Sequence, residues 1–274
     1  MNSTTRWNYI ECGNGRPLIL LHGIGMSHKV WSRSGVMKRL AAAERRVIAF
    51  DLPGFGETEA LPRRSQDDAP TPEIMAEVLK SVLEKIEIAL PVDIVGNSLG
   101  GYVALEFAKL GYARSVVGIS PAGLWRGTAP AWVRRNLELV RWIVDDPLRL
   151  RHTKQIMNYR LGRTILLRIP VAAKGCCIPA DEAKDMLDTF HIATDLDAVG
   201  EAVSEQFRGG EDIDEDVPCT IAFGDKDWLL RKKESQYPDE LPKHHCWKKL
   251  PGCGHVAMWD KPEAVTELIL DGQP

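Results

Sequence analysis

Short apolar runs alternate with longer helical stretches along most of this chain, and this alternation restricts the folds available to it. The runs that we interpret as strands cover residues 7–12, 17–21, 46–50, 92–95, 115–119, 218–223 and 246–250. Strands separated by helices at this spacing predict an α/β protein. Its sheet is expected to be mostly parallel and covered by helices on both faces.

Local signals place the ends of some helices. Thr71 can cap a helix that is predicted to run to about residue 90, and Pro72 suits its first turn. The apolar stripe of that helix is expected at Ile74, Val78, Val82 and Ile86. The last helix is expected to begin near Asp260, with Glu263 completing a capping box.

The middle of the chain is different, because residues 125–207 show no strong strand. Helical patches occur there at 131–144, 156–169 and 181–187, and prolines separate them. The simplest organisation is a core formed by residues 1–123 and 214–274, with residues 124–213 inserted as a helical cap.

Composition excludes several classes of protein. The 274 residues are 44% hydrophobic and carry a formal charge of −3, which is ordinary for a globular chain and gives no support for a nucleic-acid or acidic-membrane partner. No apolar run is long enough to span a bilayer, and the first residues lack a basic start followed by an apolar run. We therefore expect a cytoplasmic protein, and the six cysteines are weak evidence for disulfides.

Residues 96–100 read Gly-Asn-Ser-Leu-Gly, with a predicted strand before them and a predicted helix after them. This context is typical of a nucleophile elbow, in which Ser98 occupies a strained turn. The glycines are needed because backbone and helix approach closely there. The helix N-terminus adds partial positive charge beside the hydroxyl.

A serine nucleophile needs a base and an orienting acid. Among the seven histidines, His255 stands out because it ends the glycine-rich loop Pro-Gly-Cys-Gly-His before the last helix. In an elbow enzyme the acid lies between the serine and the histidine in chain order. Asp225 and Asp227 fit, since both follow a predicted strand directly.

Five motifs together resemble the α/β-hydrolase fold superfamily over residues 7–123 and 214–271. They are His-Gly-Ile-Gly at 22–25, Asp-Leu-Pro-Gly-Phe-Gly at 51–56, Gly-Asn-Ser-Leu-Gly-Gly at 96–101, Gly-Asp-Lys-Asp at 224–227 and Gly-Cys-Gly-His at 252–255. The resemblance implies the α/β-hydrolase fold, with its helical cap inserted after the sixth strand.

The resemblance also implies roles for individual residues. His255 would take the proton from Ser98, and Asp227 would orient the imidazole. Asp227 is preferred to Asp225 because the family's acid is the last position of Gly-x-x-Asp. The backbone N–H groups of Ile24 and Leu99 would form the oxyanion hole.

The function that follows is an esterase-like or lipase-like serine hydrolase acting on a small to medium carboxylic ester. No metal or organic cofactor is implied, and the expected partner is the small-molecule ester itself. Ser98 argues against dehalogenases and epoxide hydrolases, because those relatives use an aspartate there. A second reading is a carbon–carbon bond hydrolase of aromatic ring cleavage, although Val256 stands where that subgroup has tryptophan. A slow, hydrolase-like binding protein is the third.

Substrate contacts are harder to predict from one sequence. Met26 follows the oxyanion loop and could touch the acyl group, and Trp125, Trp132 and Trp228 are candidates for a pocket between core and cap. His22 is interpreted as a histidine that orders its loop, since the role of base is already filled.

Overall fold

A seven-stranded sheet lies at the centre of the structure. The computed structural model describes residues 7–62, 70–193, 199–201 and 203–274, so the start of the chain, where a leader sequence would lie, is outside the described residues. The strands are β1 (Tyr9–Cys12), β2 (Arg16–Leu21), β3 (Arg45–Phe50), β4 (Val92–Asn97), β5 (Ala113–Ile119), β6 (Cys219–Gly224) and β7 (Cys246–Leu250). Their order across the sheet is β1-β3-β2-β4-β5-β6-β7.

The sheet is mostly parallel, as the sequence predicts. β1 pairs with β3 in the antiparallel direction, and every other neighbouring pair is parallel. β4 is buried at every position, which is expected of a strand covered on both faces. One detail of the prediction is wrong. The helical segment follows the fifth strand, not the sixth, because the described N-terminal part supplies only one antiparallel strand before the parallel ones.

Helices cover both faces of the sheet. They are α1 (Lys29–Arg33), α2 (Val36–Ala42), α3 (Pro72–Lys85), α4 (Leu99–Lys109), α5 (Ala131–Val144), α6 (Pro147–Met157), α7 (Arg160–Leu167), α8 (Ala180–Ile192), α9 (Lys232–Ser235), α10 (Ala257–Asp260) and α11 (Pro262–Asp271). α3 packs against α4, and α2 packs against β3 and α11. No described helix is long and apolar enough to cross a bilayer.

The four helices α5–α8 lie in the chain between β5 and β6, and we call them the helical insert. One of them, α6, begins with the residues that sequence rules favour. Pro147 occupies the first turn of α6, and the Asp146 side chain caps that helix by accepting from the Arg149 N–H at 2.8 Å. The predicted helix over 131–144 coincides with α5.

The topology concentrates loops at one edge of the sheet. After β3 the chain crosses over β2 to reach β4, so its direction of progress across the sheet reverses between β2 and β4. In open α/β sheets, ligands bind outside the carboxyl ends of the strands at such a reversal. Ser98 follows β4 directly, and the loop of residues 22–25 follows β2.

Candidate active site

Ser98 occupies the sharp turn between β4 and α4. Its backbone has φ 54° and ψ −115°, in the left-handed half of the map that non-glycine residues rarely adopt. Such a conformation costs about 1–3 kcal/mol and persists only where the surroundings fix it. Here the Ser98 N–H donates to the Ile119 carbonyl at 3.1 Å, and the Ser98 carbonyl accepts from the Ala122 N–H at 2.9 Å. Both ends of the turn are therefore held by β5 and the residues that follow it.

Two glycines allow this turn to form. A Cβ atom on Gly96 would lie 2.0 Å from the Gly100 carbonyl oxygen, and one on Gly100 would lie 2.5 Å from the Leu21 carbonyl oxygen. Neither contact is sterically possible, so any side chain would push α4 away from the sheet. The close approach lets the Gly100 N–H donate to the His22 carbonyl at 3.0 Å, which fixes the loop after β2 beside the serine.

His255 and Asp227 form a buried pair. The Nδ1 atom of His255 lies 3.0 Å from Oδ2 of Asp227. The other carboxylate oxygen accepts from the N–H groups of Leu229 at 3.0 Å and Leu230 at 2.8 Å, so the carboxylate has a fixed orientation. With Nδ1 engaged by the carboxylate, Nε2 is the imidazole nitrogen left to accept a proton.

Asp225, the alternative acid, is engaged elsewhere. Its Oδ1 atom accepts from the Gly252 N–H at 2.6 Å and so ties the loop after β6 to the loop after β7. Among the hydrogen bonds of the described residues, the carboxylate that accepts from the His255 imidazole is that of Asp227 and not that of Asp225. Although Asp225 and Asp227 are only two positions apart in the sequence, their carboxylates therefore have different hydrogen-bond partners.

The predicted oxyanion donors lie next to Ser98. A Cβ atom on Gly23 would be 3.1 Å from the Ser98 Cβ, so the loop of residues 22–25 touches the serine. Neither the Ile24 N–H nor the Leu99 N–H donates to another described residue. The Ser98 hydroxyl likewise has no hydrogen-bond partner among the described residues, which leaves it free to turn towards the imidazole or a substrate.

His22 is fully buried beneath this loop. Its Nε2 atom accepts from the Leu52 N–H at 2.9 Å, and its Nδ1 atom lies 2.7 Å from the Gly23 carbonyl oxygen. Burial lowers the pKa of His22, so the ring is neutral, with Nδ1 donating and Nε2 accepting. These contacts support its interpretation as a histidine that orders the loop.

Asp51 anchors the neighbouring turn. Its buried carboxylate accepts from the Asn8 side chain at 2.9 Å, from the Glu57 N–H at 3.0 Å and from both N–H and Nδ1 of His28. Burial alone would raise the pKa of the Asp51 carboxyl, but the hydrogen bonds from His28 and Glu57 outweigh that effect and hold the pKa well below its ordinary value. The residue thus fixes the segment that supports His22.

Asp51→Asn is expected to lower the free energy of unfolding by about 1–3 kcal/mol at pH 7, because the buried cluster loses its ionised acceptor. A carboxyl whose pKa is depressed on folding contributes stability above its unfolded pKa, and that contribution is lost as the pH falls. The difference between wild type and variant should therefore shrink from about pH 5 to about pH 3. Urea unfolding at several pH values measures it. Asp271→Asn, on the exposed end of α11, is the control and should match wild type throughout.

An apolar pocket opens beside Ser98 and His255 and has a cavity volume of about 110 Å³. The loop of residues 23–26 forms one wall, and the helical insert supplies most of the rest. Side chains of the insert that line it include Leu137, Val140, Met157, Leu167, Met186 and Phe190. None of the described residues that line the pocket is Lys, Arg, Asp or Glu. The pocket is thus suited to an uncharged, apolar group held next to the serine.

The predicted substrate contacts divide into two groups. Met26 lines the pocket, whereas Trp125, Trp132 and Trp228 do not. The indole N–H of Trp125 donates to the Ser204 carbonyl, and that of Trp132 donates to the Trp228 carbonyl, each at 2.8 Å. These rings therefore pack where their N–H groups find acceptors outside the pocket.

Asp260 joins the insert to the histidine loop, a role that sequence reasoning missed. Its Oδ2 atom accepts from the N–H groups of Ala173 at 2.9 Å and Gly254 at 2.7 Å, and its Oδ1 atom accepts from Lys174 N–H at 2.8 Å. Gly254 immediately precedes His255. One carboxylate thus fixes the position of the insert relative to the imidazole.

No group of three or more His, Cys, Asp or Glu side chains in the described ranges could hold a metal ion. All six cysteines are free thiols. Burial raises the pKa of the Cys253 thiol, two residues before His255, to about 12. That thiol is therefore protonated and unreactive near neutral pH.

Comparison with known proteins agrees with this architecture. Among curated proteins, the abhydrolase domain-containing protein abhd-5.2 of Caenorhabditis elegans is 24% identical over 93% of this chain, and the match spans only 58% of the worm protein. The epoxide hydrolase EphH of Mycobacterium tuberculosis is 31% identical over 64% of this chain and 83% of that protein. A thermophilic esterase from Thermogutta terrifontis superposes with a TM-score of 0.68 at 20% identity, covering 98% of this chain and 94% of the esterase. A profile of the alpha/beta hydrolase family matches residues 18–268, and the chain belongs to that family.

Proposed function

We propose that this chain is a serine hydrolase that cleaves a small to medium carboxylic ester through an acyl-enzyme on Ser98. The observation that carries the proposal is the shared pocket: Ser98, on its strained turn, lines the same apolar cavity as His255. The Nδ1 atom of that histidine is held 3.0 Å from the Asp227 carboxylate. Nucleophile, base and orienting acid are thus available in one place.

In the proposed mechanism, the Ser98 oxygen attacks the ester carbonyl while Nε2 of His255 accepts the hydroxyl proton. The Asp227 carboxylate stabilises the imidazolium that forms. The N–H groups of Ile24 and Leu99 donate to the oxyanion of the tetrahedral intermediate. Collapse of that intermediate breaks the bond to the alcohol, which leaves with the proton from the imidazolium. Water, activated by His255, then attacks the acyl-enzyme and releases the acid.

We further propose that residues 124–213 act as a cap over a core formed by residues 1–123 and 214–274. The support is that the insert supplies most of the pocket lining, while Ser98 and His255 come from the core. The three hydrogen bonds of Asp260 would fix the position of the cap relative to the loop that carries His255.

The lining of the pocket favours an apolar acyl group. Beyond Ser98 and His255, the polar side chains that line it are those of Asn136 and Thr153. A buried carboxylate without a cationic partner costs several kcal/mol, so a charged acyl group would bind poorly. The volume of about 110 Å³ is of the same order as cavities that accept benzene, which favours a short acyl chain.

A matched pair of substrates tests this proposal. The enzyme should hydrolyse p-nitrophenyl butyrate readily. Its kcat/KM for the similar-sized p-nitrophenyl hemisuccinate should be lower by at least about 100-fold, because the hemisuccinate carboxylate would be buried without a cationic partner. Release of p-nitrophenolate measures both rates. Equal rates would show that the apolar pocket does not hold the acyl group.

The carbon–carbon bond hydrolase is the second candidate. Oxidative opening of an aromatic diol leaves a carboxylate on the product, and the described lining of this pocket offers no cation to pair with it. Absence of ester turnover by the folded protein, together with hydrolysis of a vinylogous diketone, would favour the carbon–carbon bond hydrolase over the esterase. Absence of both activities would leave the slow, hydrolase-like binding protein.

A further inference from the structure

The segment that forms α5, α6 and α7 carries a concentration of exposed apolar side chains. Seven of the ten exposed large apolar residues among those described lie between positions 139 and 165. We call them the outer patch: Leu139, Trp142, Leu148, Ile156, Tyr159, Leu161 and Ile165. Single exposed apolar residues are ordinary, but a concentration on one part of a surface marks an interaction site.

On α5, helical spacing shows that the outer patch is distinct from the pocket lining. Leu139 and Trp142 are three residues apart on α5, so they lie on the same side of that helix. Leu137 and Val140 of the same helix line the pocket. α5 therefore has apolar side chains on two sides, and one of those sides is left uncovered by the described residues.

The charge of this segment differs sharply from the rest of the chain. Residues 131–168 contain nine Lys or Arg and three Asp or Glu, a formal charge of +6, so the other residues together carry −9 of the overall −3. The exposed side chains of Arg134, Arg135, Arg151 and Arg168 form no ion pair with another described residue. Cationic side chains are thus interspersed with the apolar ones.

We propose that the outer patch docks on an anionic lipid surface. Helices that combine exposed Trp, Leu and Ile with Arg or Lys bind lipid interfaces by burying apolar area and attracting acidic headgroups. Trp142 already pairs with a cation, since the Arg149 guanidinium lies 4.0 Å from its ring centroid. A symmetric contact with a second copy is disfavoured, because the same +6 segment would face itself.

A cleft beside the insert shares two lining residues with the catalytic pocket. It has a volume of about 620 Å³, and Ile24 and Leu137 line both the cleft and the pocket. Trp142, a member of the outer patch, borders the same cleft. This part of the inference rests on the proposed function: an ester that leaves the lipid beside Trp142 has a route to Ser98.

Vesicle sedimentation tests the docking without any measurement of catalysis. The protein should sediment with vesicles of phosphatidylcholine mixed with phosphatidylglycerol, and at least about tenfold less with phosphatidylcholine alone or at high salt. Leu161→Glu with Ile165→Glu should weaken this binding by about tenfold or more, because it places two anions on the patch. These two side chains are 71% and 65% exposed, so their replacement should not unfold the insert.

Ile74→Glu is the matched control, since that side chain is 43% exposed but lies on α3, outside the insert. A second variant, Arg151→Gln with Arg168→Gln, should weaken binding to anionic vesicles about fivefold for each charge removed. All variants should keep the melting temperature and the rate on p-nitrophenyl butyrate of the wild type.

Three results would overturn the proposal. The first is no binding to anionic vesicles, and the second is equal binding by wild type and the Leu161→Glu, Ile165→Glu variant. The third is a concentration-dependent dimer that this variant abolishes, which would assign the patch to a second copy. Ser98→Ala should bind vesicles as wild type does, so failure of the docking and failure of the proposed hydrolysis are distinguishable.

Discussion

Ser98→Ala is expected to lower kcat for p-nitrophenyl butyrate by about 10⁶-fold, because in the proposed mechanism the hydroxyl oxygen forms the bond to the acyl carbon. The Ile24 and Leu99 N–H groups and the pocket remain in the variant, so a small residual rate above that in water is expected. A fluorophosphonate probe should label the wild type on the peptide that contains Ser98 and should not label the variant. The hydrolysis rate measures the first effect, and mass spectrometry of the digested protein measures the second.

Ser81→Ala provides a matched control for the same substitution. The Ser81 hydroxyl lies on α3 and donates to the Glu77 carbonyl at 3.3 Å, remote from the pocket. It should retain full activity. Should Ser98→Ala keep more than a tenth of the wild-type rate while folded, the assignment of the nucleophile would be wrong.

The position of the turn at Ser98 was predictable because it depends on local sequence. A strand, Gly-x-Ser-x-Gly and a helix can join only through a turn in which Ser98 takes a positive φ, and the structure has φ 54° there. The mostly parallel sheet was predictable for a similar reason. Alternation of strands and helices leaves few ways to cover both faces of a sheet.

The pocket lining was not predictable, because it depends on which face of each insert helix meets the core. The sequence places a helix over 131–144, which coincides with α5, but does not say that Leu137 and Val140 line the pocket beside Ser98. The tryptophans were misleading as predictors of the pocket lining. Its indole N–H needs an acceptor, and Trp125 and Trp132 find theirs in backbone carbonyls away from the pocket.

Tertiary contacts also override two local patterns. The apolar stripe expected on the helix after Thr71 is wrong at Ile74, which is 43% exposed, because α3 buries Met75 and Leu79 instead. The capping box expected at Asp260 is absent, since α11 begins after Lys261 without a side-chain cap. Long-range partners in the insert compete for that carboxylate, and no local rule contains them.

The second large effect is expected at Asp227. Asp225 provides the comparison, because its carboxylate lies only two positions away in the sequence. Asp227 holds Nδ1 of His255 at 3.0 Å, whereas Asp225 accepts from the Gly252 N–H at 2.6 Å. Without its carboxylate, the imidazole loses the group that fixes its tautomer and stabilises its charged form. The amide of an asparagine at 227 can donate to Nδ1, which would leave the proton on Nε2 and remove the base.

Asp227→Asn is therefore expected to lower kcat by about 10⁴-fold with little change in KM, since the lost interaction strengthens as the imidazolium forms. Asp225→Asn, the same change in the same loop, should keep kcat within about tenfold of wild type, because it weakens one turn and leaves the imidazole paired. Steady-state hydrolysis of p-nitrophenyl butyrate by both variants, with circular dichroism to establish folding, makes the comparison. The reverse ranking would assign the orienting acid to Asp225, and equal small effects would mean that His255 works without a carboxylate partner.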